Sequence, residues 1–513
     1  MAYNEFTTVG EIFGLSAKVV RENDVFSLGK RTLAKVFLRE LLDLDTSATD
    51  AELEARYKAC SPRRNIPAES AQFWNFVEKE YLHLETEPKT MFSEICFRVN
   101  EDLVSLAGNL SYIRKEMAEL EEKKKIDGRL TAEERYYRNQ LEYFESKNIA
   151  AKAEIVEFMT HKIKPYAISK ASVKNPIFSS VAPLFDVGPY AFGRRLHWVP
   201  TDPYDVRALD TYSNKFMDLP LRGRREIVKE CMDSPEKFKK YAAAYISGLP
   251  DKFPSVREKI LDLVARSHIL FRRKNVFEIM LSHYEDKDYI SFVSMAPLQI
   301  EGVFADICRE IGVSESQLDI SSLNDKLQHI DGKMQSFFYF EYYSFKFPVL
   351  RNLVAHGGLV DGELEETAIH LMLDLLPVCE LAVSGDLPVM YALDVLKDAS
   401  NEKPERLIEW LDIRKSAAIP DFYGVQDVIA RAESNYSKQE FWDYLDGELK
   451  KLREISHIKA SEPVKVAGKL KSAGLAEEQA EKFLRSSVRV AKEAINQNNQ
   501  KLEKFRDLLK PKG

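Results

Sequence analysis

The sequence predicts a mainly all-α chain of several helical domains, interrupted by a short non-helical or mixed connector near 173–222. Three observations carry this. Apolar residues recur at helical spacing between charged faces through most of the chain, and strand-like alternation is scarce. At 513 residues the chain is too long for one ordinary core, so two to four domains are expected. Proline, glycine and aromatics then crowd together in NPIFSSVAPLFDVGPYAFGRRLHWVPTDPYD, a composition that suits an ordered connector or a few short strands.

Bulk properties narrow the function classes. With 45% hydrophobic and 30% charged residues the chain is globular in composition. A net charge of −7 argues against a globally basic nucleic-acid coat, but a local basic surface stays compatible because phosphate binding depends on where charge sits. Cys60, Cys96, Cys231, Cys308 and Cys379 form no Cys-x-x-Cys pair, which points away from disulfides and structural zinc and toward a reducing compartment. The start MAYNEFTTVGEIFG lacks the basic and apolar regions of a secretory signal. No run reaches the roughly 18 apolar residues of a membrane span. The best candidate, 369–383, is broken by Asp374, Pro377 and Glu380. A cytoplasmic protein without membrane contact is expected. Walker, Rossmann, His-Glu-x-x-His and nucleophile-elbow motifs are lacking, so no cofactor and no metal is expected.

In chain order, residues 1–95 read as an N-terminal helical region broken by Pro62 and Pro67. Residues 96–170 read as a helical hairpin or coiled-coil-like arm. Its charged run KEMAELEEKKK ends at the turn dipeptide Asp127-Gly128, and Thr131 to Glu134 has capping-box spacing. The hairpin is either an arm for a protein partner or a solvated face. Residues 171–253 hold the connector and a basic helical region. From Arg222 to Asn275 there are 14 Lys/Arg against 7 Asp/Glu. Gly248-Leu249-Pro250 and Pro254 then punctuate the chain, and a new helix is expected near Ser255. Residues 254–388 read as an all-helical domain, and 389–513 as a charged C-terminal helical region with a Lys-rich tail.

The chemistry sits in FPVLRNLVAHGG. Pro348 suits a helix's first turn and Gly357-Gly358 its end. The spacing gives a helix of about three turns. Leu350, Leu353 and Val354 are expected to face a core, with Arg351 and Asn352 near the start and His356 closing the helix. Of the nine histidines, only His356 has an arginine five, six or seven positions before it. Residues five apart lie about 140° round and about 7.5 Å along a helix, so Arg351 and His356 do not easily grip one phosphate from a single helix.

These residues resemble the HEPN superfamily of metal-independent ribonucleases, whose signature is an arginine, a polar residue and, after a short gap, a histidine on a helix of a small all-α bundle. Arg351, Asn352 and His356 match those positions, and the upstream run PLQIEGVFADICREIG looks like the packing helix of such domains. The resemblance spans residues 254–388 only. It implies a composite site in a homodimer, which also resolves the spacing problem by bringing two helices together about a two-fold axis. His356 would then exchange protons with a ribose 2′-hydroxyl or the leaving 5′-oxygen. Arg351 would neutralise the charge on phosphorus, and Asn352 would orient the phosphate or fix the partner side chains. The RNA's own 2′-hydroxyl is the nucleophile, so the implied products end in a 2′,3′-cyclic phosphate and a 5′-hydroxyl, from single-stranded or loop RNA. Fusion to long flanking regions suggests a toxin or an antiviral, abortive-infection effector.

The competing reading is a non-catalytic helical scaffold for dimerisation, RNA binding or a protein partner, with Arg351 paired to a neighbouring helix and His356 bonded to a terminal carbonyl. Glu301, on the packing helix, is a candidate to orient Arg351 or a plain surface carboxylate. Arg272, Arg273 and Lys274 are candidates to guide RNA, as are Arg222, Arg224 and Arg225; each cluster also reads as a solvated face. The aromatics Phe337 to Phe340, Tyr342 and Tyr343 suit base stacking or a core or dimer interface. His370 reads as a core or interface histidine.

Overall fold

The structure, a computed structural model, describes residues 3, 7–61, 65–172, 204–249, 252–355, 363–452 and 461–508. Among the described residues the chain is helical, with two isolated bridges (Leu84 to Ser172 and Leu249 to Phe253) and no strand. It divides into two compact units, residues 1–196 with 202–206, and residues 207–513 with 197–201.

The first unit contains α1 (Val9–Glu22), α2 (Val25–Leu42), α3 (Asp50–Cys60), α4 (Ser70–Glu80), α5 (Pro88–Asp127), α6 (Ala132–Glu157) and, after a π-helical turn at Phe158–Lys162, α7 (Ile163–Ala171). Its first core is aromatic, with Phe37, Tyr57, Phe73, Trp74 and Tyr81 buried together. Each such side chain contributes about 1.5–3 kcal/mol through burial. Helices α5 and α6 form the expected hairpin. Gly128 takes the left-handed conformation (φ 74°) that ends α5, and Thr131 and Glu134 form the reciprocal capping box that starts α6. A second core lies along the hairpin's base, with Ile95, Val99, Leu106, Ile155 and Phe158 buried. Asn148 is buried on α6 and donates to the carbonyl of Tyr204 at 2.9 Å.

Of the expected connector, residues 173–203 lie outside the described residues. The described remainder, 204–220, is turns with one 3-10 turn at Val206–Ala208 and no strand.

The second unit begins with α8 (Leu221–Asp233) and α9 (Pro235–Ser247), then α10 (Val256–Arg266) starts at the expected Ser255 cap. A short α11 (His268–Phe271) and α12 (Lys274–Glu285) lead into α13 (Tyr289–Glu310). After α14 (Glu315–Leu318) and α15 (Leu323–Lys333), two short helices follow, α16 (Phe340–Phe345) and α17 (Phe347–Ala355). Helix α18 (Leu364–Leu381) packs lengthwise against α13, and both are built from buried aliphatic and aromatic side chains. By length and composition α13 alone, among the described residues, would be able to cross a membrane, rather than the 369–383 run; here it is the packing partner of α12, α15, α17 and α18. Helices α19 (Pro388–Ser400), α20 (Pro404–Ile413), α21 (Gln426–Ser434), α22 (Gln439–Lys450), α23 (Glu462–Ser472) and α24 (Glu477–Leu508) enclose a further core around Trp410, Tyr436, Trp442 and Phe483.

Candidate active site

Helix α17 carries the motif, with Pro348 at its second position. Only Phe347 and Pro348 are buried on it. Leu350 and Val354 are half-buried, and Leu353 is 39% exposed. This corrects the expectation that Leu350, Leu353 and Val354 all face a core. Burial on the helix is confined to its N-terminal end, and its later residues are half-buried or exposed. His356 and the Gly357-Gly358 stop lie outside the described residues.

Arg351 is held from two sides. Its Nε lies 2.7 Å from Glu301 Oε1 and its Nη2 donates to Glu301 Oε2 at 3.4 Å, while Nη1 donates to Asn352 Oδ1 at 3.0 Å. Glu301 reaches it from α13, inside the run read as the packing helix. The Arg351 side chain is 37% exposed and that of Glu301 22%, so the guanidinium is oriented by a carboxylate yet open to solvent. Arg351, Asn352 and Glu301 are therefore brought together. A planar donor fork oriented by Glu301 on one side and Asn352 on the other, and still partly exposed, is suited to a phosphate.

The three basic candidates differ. Arg273 donates from Nε to Asp306 Oδ2 at 2.8 Å and from Nη1 to Gln299 at 3.2 Å, clamping the start of α12 to α13. It lies flat against Gly302, where a Cβ would sit 2.6 Å from its Nη1. Arg272 is exposed, and Lys274 is exposed beside Glu278. In the earlier cluster Arg222 and Arg225 are exposed, but Arg224 is 2% exposed and donates to the backbone carbonyls of Lys215 (2.9 Å) and Ser213 (3.0 Å). Arg224 is thus a brace for that turn. Most of the aromatic run is core: Phe337, Phe340, Tyr342 and Tyr343 are buried, while Phe338 and Tyr339 are half-buried. His370 stacks on Phe238 at 4.5 Å, with Tyr212 at 6.0 Å, and burial pushes its pKa down to about 3.

Sequence reading missed a charged pair. Lys215 and Asp374 form an ion pair with both side chains fully buried, beneath the root of α17. The signal was present in Asp374, a charge inside an otherwise apolar run, but its partner is 159 residues away. Burial draws the Lys215 ammonium below its ordinary value against the opposing pull of Asp374, and burial holds the Tyr342 and Tyr343 hydroxyls well above theirs.

Among the described residues no group of three or more His, Cys, Asp or Glu is placed to hold a metal. Neither a protein-family profile, nor a curated protein, nor a solved structure matches this chain.

Proposed function

We propose that the chain is a metal-independent endoribonuclease of HEPN type that works as a homodimer, with flanking helical regions that hold it in check as a toxin or antiviral effector. The observation that carries the reading is the Arg351–Asn352 pair on a short, half-exposed helix, braced by Glu301 from the packing helix. Arg351 binds and neutralises the phosphate, Asn352 orients it, and His356, at the next position after the helix's last described residue, exchanges the proton. Leu353 offers an apolar shoulder on the face where a second copy of the helix would meet the first. The α5–α6 hairpin is the candidate surface for a protein partner or trigger.

Wild type, Arg351→Ala and His356→Ala, incubated with total RNA in EDTA, test the reading. Cleavage by the wild type alone, leaving 2′,3′-cyclic phosphate and 5′-hydroxyl ends, supports it. Equal inertness of all three, with a candidate trigger supplied, overturns it and leaves the scaffold reading. Growth arrest on expression, relieved by His356→Ala, is the matching cellular result.

A further inference from the structure

Helix α17 is buried only at Phe347 and Pro348, so the direction in which it carries Arg351 is set by its root and by the Glu301 strut. The root is α16, where the Tyr343 ring lies 5.7 Å from that of Phe347. Both tyrosines of α16 end on Asp374 of α18. Tyr342 donates to Asp374 Oδ2 at 3.1 Å, and Tyr343 donates to the Asp374 backbone carbonyl at 2.6 Å.

Two residues from the described end of the connector, just before α8, complete this group. Lys215 donates to the Tyr342 hydroxyl at 2.9 Å and to the Asp374 carboxylate. Asn214 donates to Asp374 Oδ1 at 2.9 Å and to the Tyr343 hydroxyl at 3.3 Å. The donors form a consistent chain, in which each tyrosine hydroxyl accepts from the inserted segment and donates to Asp374. The segment is held in place at a conformational cost: Phe216, next to Lys215, has φ 57°, a left-handed conformation unfavourable for an aromatic residue, and Arg224 braces the carbonyls on either side of Asn214.

We propose that Asn214 and Lys215 are positioning residues for Arg351: inserted beneath α16, they fix the two tyrosines that root the motif helix, so the geometry of the phosphate-binding arginine depends on the last part of the connector, just before α8. The consequence for catalysis rests on the reading of Arg351 as the phosphate-binding group; the consequence for the helix does not. A buried ion pair stabilises little beyond an apolar replacement of the same shape, whereas a set of directional bonds admits few arrangements. Loss of the segment leaves Asp374 without its cation and two tyrosine hydroxyls short of a donor. The root of α17 then has no single preferred seat.

The test compares hydrogen exchange across the full-length wild type, Lys215→Met/Asp374→Asn and the milder Tyr342→Phe, which keeps the ring and removes one hydroxyl. A fluorophore-labelled single-stranded oligoribonucleotide is the cleavage probe. Loss of one or two buried hydrogen bonds corresponds to about tenfold faster exchange of amides in 347–355, with α22 to α24 unchanged as an internal control. Cleavage should lose kcat with little change in KM. Selective loosening of 347–355 in either variant supports the proposal. Exchange that is unchanged there, or raised uniformly along the chain in both variants, overturns it. A wild type that leaves the oligoribonucleotide and total RNA intact counts against the ribonuclease reading alone, because exchange still decides whether the segment positions the helix.

Discussion

At the scale of single residues, two side chains make separable predictions. Glu301 holds the Arg351 guanidinium by its Nε edge, and a catalytic group displaced by about 1 Å loses on the order of a hundredfold in rate. Glu301→Ala, which removes the strut at the Nε edge and leaves the Asn352 contact, should therefore cut RNA roughly 10- to 100-fold more slowly with KM little changed. Wild-type kcat in this variant would mean that Glu301 is only a surface partner. His370 makes a prediction about pH. Burial between Phe238 and Tyr212 lowers its pKa from 6.5 to about 3, so between those values the unfolded chain carries a proton that the folded chain refuses. Stability is accordingly present above the ordinary histidine value and lost as pH falls toward 3, by at most about 1.4 kcal/mol per pH unit. His370→Phe keeps the ring stack and removes the proton. Urea midpoints at about pH 7 and about pH 4.5 should therefore fall further for wild type than for the variant. Equal falls would show that His370 titrates normally.

At the scale of elements, what was legible is what local chemistry decides. Gly128 and the Thr131 cap end one helix and start the next, and Ser255 opens α10, because a positive φ or a capping side chain acts within four residues of its own position. Gly248 is the sharpest case. It ends α9 at φ 69°, ψ −172°, a region essentially closed to other residues, and a Cβ there would lie 2.5 Å from the Phe253 carbonyl oxygen and 2.6 Å from the Ser255 amide nitrogen. Neither obstacle is a flexible side chain. Gly248→Ala should cost roughly 2 kcal/mol or more, read as a lower urea midpoint at unchanged slope. A loss below about 0.5 kcal/mol would mean that the turn from Gly248 to Ser255 relaxes freely. Periodicity was a poorer guide where burial depends on neighbours distant in sequence. Leu353 has the spacing of a core residue and is exposed, because among the described residues burial on α17 is confined to Phe347 and Pro348 at its start. Arg224 sits in a basic cluster and is buried, because its donors meet carbonyls of the preceding turn. Asp374 was visible as an interruption, but nothing local announces Lys215 as its partner.

At the scale of the whole molecule, the candidate site raises a question of number of copies. Arg351 points toward Glu301 of its own chain, and His356 follows five residues later in the sequence, outside the described residues. On an ideal helix such positions stand about 140° apart, so a phosphate seated on one side chain would be turned away from the other. Two chains related by a two-fold axis through the exposed Leu353 surface would set the arginine of one copy beside the histidine of its partner. Two consequences follow from that arrangement and from no single-chain site. Leu353→Asp should convert a dimer to a monomer by sedimentation and abolish cleavage, while its unfolding midpoint, measured as a monomer, stays close to that of the wild type, because the side chain it replaces is exposed. Arg351→Ala and His356→Ala, each inert alone, should regain cleavage when co-expressed, because a mixed dimer still offers one intact arginine and one intact histidine in the shared cleft. Purified mixed dimers that stay inert, beside active wild-type dimers, would require each chain to supply both groups to its own phosphate, and the composite site would have to be abandoned.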